Sequence, residues 1–116
     1  MAITALYENS AVISTTEYSL PNNSITLTPK TDDGVFAIWL DLNAMIAGDQ
    51  YELRIYEKVQ VAGVQRLAVQ PRVFTGVQGA PHEPLPSFIF MHGWDVTMKR
   101  LAGADRTIAW SIRQVA

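Results

Sequence analysis

The chain has 116 residues, of which 48% are hydrophobic and 17% are charged, and this balance excludes a disordered chain and predicts a single buried core. It contains no cysteine, which excludes disulfides, thiolate nucleophiles and cysteine-ligated zinc. The formal net charge is −2 and the basic residues are dispersed, which argues against nucleic acid as a partner.

Alternation of apolar and polar side chains predicts strands over the N-terminal part of the chain. Residues 1–11 are expected to form an N-terminal arm that becomes ordered on contact with a neighbour. Strands are predicted at residues 12–20, 25–28 and 35–42, and the turn residues at 31–34 introduce the last of these.

One helical signal follows the third predicted strand. Asn43 is a suitable cap for residues 44–47, and Gly48 can adopt the left-handed conformation that ends a helix. A single turn is not stable in water by itself, so the segment is expected to connect two strands.

The middle of the chain contains the clearest strand, at residues 51–58, where apolar and charged side chains alternate. Ala62 and Gly63 are predicted to form a two-residue hairpin turn to a second strand that starts at Val64. Pro71 falls within that second strand and is expected at a sheet edge or a bulge. Residues 76–86 are rich in glycine and proline and predict a long loop.

The C-terminal third predicts three more strands. Residues 88–91 are continuously apolar, as in a strand that is buried on both faces. Residues 94–101 and 106–115 are predicted to pair as a hairpin across residues 102–105. About eight short antiparallel strands over residues 1–116 indicate one all-β domain, a β-sandwich or a jelly roll.

Catalytic and metal-binding patterns are weak. His82 and His92 are the bases with a suitable pKa, and their spacing does not match a common metal-ligand motif. Asp32 and Asp33 precede Gly34, where turn formation explains both. We therefore expect a protein that is not an enzyme and has no cofactor or bound metal.

The tryptophans divide into two groups. Trp94 and Trp110 alternate with aliphatic residues and are predicted to lie in the core. Trp39 differs because Phe36, Ile38, Leu40 and Leu42 share one face of its strand, which places Val35, Ala37 and Trp39 on the other. Apolar residues on both faces indicate either a central strand that is covered twice or a face against another chain, and Val35, Ala37 and Trp39 are the predicted interface in the second case. An alternative is that exposed aromatics such as Trp39 and Tyr56 bind a carbohydrate.

Two blocks of sequence resemble small structural proteins of tailed bacteriophages. Residues 34–58 read GVFAIWLDLNAMIAGDQYELRIYEK, and residues 91–115 read MHGWDVTMKRLAGADRTIAWSIRQV. The resemblance implies a β-sandwich or jelly-roll fold and a role as a virion component, in the first place a head decoration (cement) protein. It assigns no functional residue, because the shared positions explain folding equally well.

The expected partner is accordingly the major capsid protein or another virion protein, with the chain itself forming a homo-oligomer, for which a trimer is favoured. A head–tail joining or tail structural protein is the nearest alternative. No stretch reaches the ~20 apolar residues of a membrane span, and the N-terminus lacks the pattern of a signal peptide. The resemblance implies a protein that folds in the host cytoplasm and resides on the capsid exterior, and we expect neither a membrane nor a nucleic-acid partner.

Overall fold

Nine strands form two antiparallel sheets in the computed structural model, which describes residues 2–115. The strands are β1 (Ile3–Ile13), β2 (Tyr18–Ser19), β3 (Gly34–Asp41), β4 (Gln50–Glu57), β5 (Arg66–Leu67), β6 (Arg72–Thr75), β7 (His82–Phe90), β8 (Asp95–Ala102) and β9 (Arg106–Val115). The first sheet has the order β1-β9-β3-β7. The second has the order β2-β8-β4-β5, and β6 also pairs with β4. The predicted all-β sandwich fold is confirmed.

The core lies between the sheets and follows from the alternation in the central strands. In the first sheet, Ile38 on β3 lies opposite Ile112 on β9, and Leu40 lies opposite Trp110. The second sheet contributes a matching inner row from its own central strands. These inner residues are buried: Tyr51, Leu53, Ile55, Val96 and Met98. Apolar burial of this extent is the main favourable term in the stability of the fold.

An aromatic cluster closes one end of the sandwich. Trp94 is fully buried, with its ring centroid 4.8 Å from that of Phe36 and 4.6 Å from that of Phe90. The indole Nε1 of Trp94 donates a hydrogen bond to the carbonyl oxygen of Asp32 at 2.8 Å, so its polar atom is satisfied inside the core. Trp110 is also buried, which confirms the core assignment of both residues.

The predicted C-terminal hairpin is wrong, although both of its strands exist. β8 belongs to the second sheet and β9 to the first, so residues 103–105 cross from one sheet to the other. Gly103 permits this crossing because its φ is +86° and a Cβ atom there would lie 2.1 Å from Oδ1 of Asp49. A link of three or four residues is compatible with a hairpin or with a crossing between sheets, and the sequence pattern alone does not distinguish these two connections.

The predicted loop at residues 76–86 is shorter than expected, because β7 already begins at His82. Pro84 and Pro86 lie within β7. This strand is at the edge of the sheet and pairs on one side only, with β3, which is where a strand tolerates residues without an N–H group. The prediction that residues 88–91 are buried on both faces is also wrong, since Ile89 is 71% exposed and Met91 is 51% exposed.

Other segments also differ from the sequence prediction. The predicted strand at residues 12–20 is divided, because β1 ends at Ile13 and β2 consists of Tyr18–Ser19. Residues 3–11, expected to be an arm, form most of β1 and pair with β9; Met1 lies outside the described residues. Residues 25–28 are not a strand. The expected helical turn at 44–47 consists instead of two successive turns, closed by hydrogen bonds from Met45 N to the Leu42 oxygen and from Asp49 N to the Ile46 oxygen.

The turn predicted at Ala62 and Gly63 is part of a longer connection. The strand pair that flanks it consists of Tyr56 and Glu57 with Leu67 and Arg66, so the connection spans residues 58–65. Pro71 lies between β5 and β6, where it interrupts the pairing with β4.

Candidate docking surface

The outer face of the first sheet carries an apolar row that crosses all four strands. Ile3 pairs with Val115, Val115 pairs with Val35, and Val35 pairs with Ile89. We call these four residues the apolar row. Ile3 is 66% exposed, Val35 is 42% exposed and Ile89 is 71% exposed, whereas Val115 in the middle is half-buried. Aligned exposed aliphatic residues of this kind mark an interaction surface more often than scattered ones do.

Two further predicted interface residues lie on the same face. Ala37 pairs with Arg113, and Trp39 pairs with Ser111 and Pro84. Val35, Ala37 and Trp39 therefore face away from the core, as the alternation predicted. Whether this face meets a partner stays a hypothesis.

The Trp39 side chain is less exposed than that of Val35 in the apolar row. The guanidinium carbon of Arg113 lies 5.1 Å from the centroid of the Trp39 ring, a distance typical of a cation–π contact, and Trp39 is half-buried. A shallow cleft of about 230 Å³ lies beside the two, lined also by Asp41 and His82. The Trp39 ring is thus partly covered by Arg113 and does not present a fully exposed face for stacking.

The chain matches no protein-family model, no curated protein and no solved structure. The resemblance to phage structural proteins therefore stays a prediction.

The histidines and turn carboxylates do not converge on one site. His82 is exposed on β7, with its Nε2 3.6 Å from Oδ2 of Asp41, and His92 follows the end of β7. Asp32 accepts a hydrogen bond from the hydroxyl of Tyr7, and burial raises the pKa of that hydroxyl above its ordinary value. Within residues 2–115, no three side chains of the metal-binding types cluster together. The same part of the chain has no helix of the length and apolarity that a bilayer span requires.

An exposed aliphatic loop is the feature that the sequence prediction missed. The connection after β4 presents Val59, Val61 and Val64, which are 92%, 73% and 66% exposed. We call these three residues the valine loop. It is anchored at both ends, because Gln65 donates a hydrogen bond to the Gly93 carbonyl and the Lys58 side chain packs against Gly93. No separate signal for it is present in the sequence, because Val59 and Val61 continue the odd-numbered apolar positions of β4.

The outer face of the second sheet is different, because a polar network covers its part at β2, β8 and β4, and the exposed aliphatic residues Leu67 and Val73 lie beside that part, on β5 and β6. The Tyr56 hydroxyl donates to Oε2 of Glu17 at 2.6 Å, and Thr97 donates to the same oxygen. Ser19 donates to Oδ1 of Asp95 at 2.7 Å, and Asp95 is 2% exposed. Burial raises the pKa of Asp95 to about 6, with a smaller contribution in the same direction from the charge of Glu17.

The position of Tyr56 bears on the carbohydrate alternative. Tyr56 lies on the outer face of the second sheet and Trp39 on the outer face of the first, so the two rings cannot stack on the same sugar. Burial raises the pKa of the Tyr56 hydroxyl, and its hydrogen bond to Glu17 adds to that effect. Both rings are thus engaged within the chain.

An ion pair between the buried Asp49 and the partly exposed Arg106 fixes the end of the sandwich opposite the aromatic cluster. Asp49 is 1% exposed and accepts hydrogen bonds from Arg106 Nε at 2.8 Å, Ile46 N at 2.9 Å and Ala104 N at 3.1 Å. The Arg106 hydrogen bond is the main reason why the pKa of Asp49 falls to about 2. The pair joins the β3–β4 connection to the crossing between β8 and β9, which assigns it a structural role.

Proposed function

We propose that this chain is a structural protein of a tailed-bacteriophage virion, and specifically a decoration protein that binds the outside of the capsid. The apolar row carries the proposal. It aligns aliphatic side chains of four adjacent strands on one face, three of them exposed, where a flat partner surface can cover them together. The resemblance of residues 34–58 and 91–115 to phage structural proteins supports the same role.

A decoration protein acts through many equivalent contacts rather than one strong contact. Each copy covers a small area, but copies that are bound to one shell stabilise it collectively through their high effective concentration. The packed core and the Asp49–Arg106 ion pair suit that role, because a chain that is already ordered requires little further ordering on binding. The proposed partner is the major capsid protein.

The test is binding to purified heads that lack this protein, measured by co-sedimentation. Val35→Lys places a charge in the apolar row and is expected to lower shell binding at least tenfold while the melting temperature changes little, because the side chain is exposed. Val61→Lys is the matched control: the same substitution at an exposed valine in the valine loop. Undiminished binding by Val35→Lys, or loss of binding with Val61→Lys alone, would contradict docking through the apolar row.

The number of copies per virion separates the capsid role from the nearest alternative. Coverage of the shell requires hundreds of copies, whereas a head–tail joint or tail position requires a dozen or fewer. Quantitative mass spectrometry of purified virions gives this number directly, and a value near a dozen would assign the chain to the head–tail axis.

A further inference from the structure

The edges of the two sheets differ in how they are protected against pairing with another chain. In the second sheet the edge strands are short, with two residues in β2, two in β5 and four in β6. In the first sheet, β7 carries Pro84, Pro86 and a register shift opposite β3, and Ser87 adopts a φ of +70°. Prolines, bulges and short strands are the devices that prevent edge-to-edge association.

β1 has none of those devices apart from one bulge. It is an 11-residue edge strand without proline, and among residues 2–115 no strand pairs with its free side. Its single charged side chain, Glu8, accepts a hydrogen bond from the Ser111 hydroxyl at 2.6 Å and thus points to the outer face rather than along the edge. The backbone groups on the free side of β1 can pair with another strand, in exchange for the hydrogen bond that the Ser10 N–H donates to Oδ1 of Asn9 at 2.9 Å.

The outer face of β1 is nearly symmetric about Glu8. Pairing with alternate residues of β9 places five side chains of β1 on this face, and the bulge between Ala5 and Tyr7 keeps them in step with β9. In order they are Ile3, Ala5, Glu8, Ser10 and Val12. An aliphatic residue stands at each end, a small residue stands inside each of these, and the acid is central. Ile3 is 66% exposed and Val12 is 61% exposed.

We propose that β1 pairs with β1 of a second copy of this chain, antiparallel and about a two-fold axis at Glu8. An antiparallel partner continues the antiparallel pattern of the first sheet. When two identical edges are related by a two-fold axis, the backbone donors and acceptors of each edge pair with those of the other. In this arrangement Ile3 lies opposite Val12 of the second copy, Ala5 lies opposite Ser10, and the two Glu8 side chains face each other. The apolar row then continues through Val12 of the second copy.

The two facing Glu8 side chains allow this pairing to be distinguished from other modes of self-association. Like charges that lie directly opposite each other on neighbouring strands oppose association. Glu8→Gln keeps an oxygen that can accept the Ser111 hydrogen bond, removes the repulsion, and is expected to tighten self-association up to about fivefold. The wild-type chain is expected to associate weakly, because one strand pair buries less than the ~1,200–2,000 Å² of a stable interface.

Sedimentation velocity of the full chain from micromolar to millimolar concentration tests the pairing, with the melting temperature as a check on folding. Val12→Lys introduces a charge opposite Ile3 and is expected to weaken the dimer. Val61→Lys, at an exposed valine of the valine loop outside both β1 and the apolar row, is the matched control and should leave association unchanged.

A dimer that Glu8→Gln strengthens and Val12→Lys weakens supports the proposal. A monomer at every concentration in both the wild type and Glu8→Gln would overturn it. A trimer would also overturn it, because two identical edges close at two copies. These measurements need no capsid, so their failure leaves the proposed docking through Val35 to be judged by its own experiment.

Discussion

The buried carboxyl group of Asp95 predicts that the chain becomes more stable as the pH falls from about 7 to about 4. The pKa of Asp95 is raised from 3.8 to about 6, chiefly by burial, against hydrogen bonds from Ser19 and Val96 that favour the charged form. Because the folded state holds the proton more tightly than the unfolded state, protonation favours folding. The gain is complete below about pH 4 and is lost as the pH rises through about 6.

The size of the effect follows from the difference between the two pKa values. One unit corresponds to about 1.4 kcal/mol, so a difference of roughly two units gives at most about 3 kcal/mol in the free energy of unfolding. Asp95→Asn removes the charge but keeps an oxygen to accept the hydrogen bonds from Ser19 and Val96. Near pH 8 the variant is expected to be more stable than the wild type by about 1–2 kcal/mol.

Urea denaturation, followed by tryptophan fluorescence at a series of pH values, measures both predictions. The rise in stability between about pH 7 and pH 4 should be present in the wild type and absent in Asp95→Asn. Glu17→Gln is a control that lowers the pKa of Asp95 without removing its carboxyl group, so it should reduce the rise without abolishing it. Parallel profiles for the wild type and Asp95→Asn would refute the assignment of the rise to this group.

Three other predictions concern the ion pair, the sheet crossing and Trp39. Because the pKa of Asp49 is lowered to about 2, its stabilising effect is present above about pH 4 and is lost as the pH falls toward 2; Asp49→Asn should remove this acid loss of stability in urea titrations. Gly103→Ala should lower the melting temperature more than Gly48→Ala, since both glycines have positive φ but a Cβ atom at Gly103 alone collides with Asp49. Trp39→Lys should leave the chain folded by near-ultraviolet circular dichroism, at a cost of about 1 kcal/mol from the lost cation–π contact; an unfolded variant would assign Trp39 to the core.

The sequence predicted the central strands well because their pattern is local. Alternation in β3 and β4 identifies the face that is buried, and the structure places Phe36, Ile38, Leu53 and Ile55 on that face. A strand with one buried face repeats every two residues wherever it lies in the sheet, so no knowledge of its neighbours is required.

The partners of each strand were harder to predict because they depend on distant residues. β8 and β9 follow each other closely in the chain, yet β8 pairs with β4 and β9 pairs with β3 and β1. The crossing between them is held by Asp49, more than fifty residues earlier in the chain. A pattern confined to residues 94–115 does not contain that contact.

The exposure of individual side chains was the weakest part of the site prediction, because it also depends on residues that are distant in the chain. Alternation placed Val35 and Trp39 on one outer face, but Arg113 of β9 covers Trp39 and leaves Val35 open. The valine loop was overlooked because exposed valines resemble core residues until a structure shows that nothing packs over them.

The contrast between the two outer faces explains why docking is proposed on the first sheet. On the second sheet, Asp95 and Thr97 are already covered within the chain, and their polar atoms are hydrogen-bonded there, so neither side chain is open to a partner. On the first sheet, covering the aliphatic side chains of the apolar row breaks no hydrogen bond and removes apolar surface from water. Burial of such residues is favourable without a specific polar partner, and this suits a protein whose proposed task is to adhere to a repetitive surface.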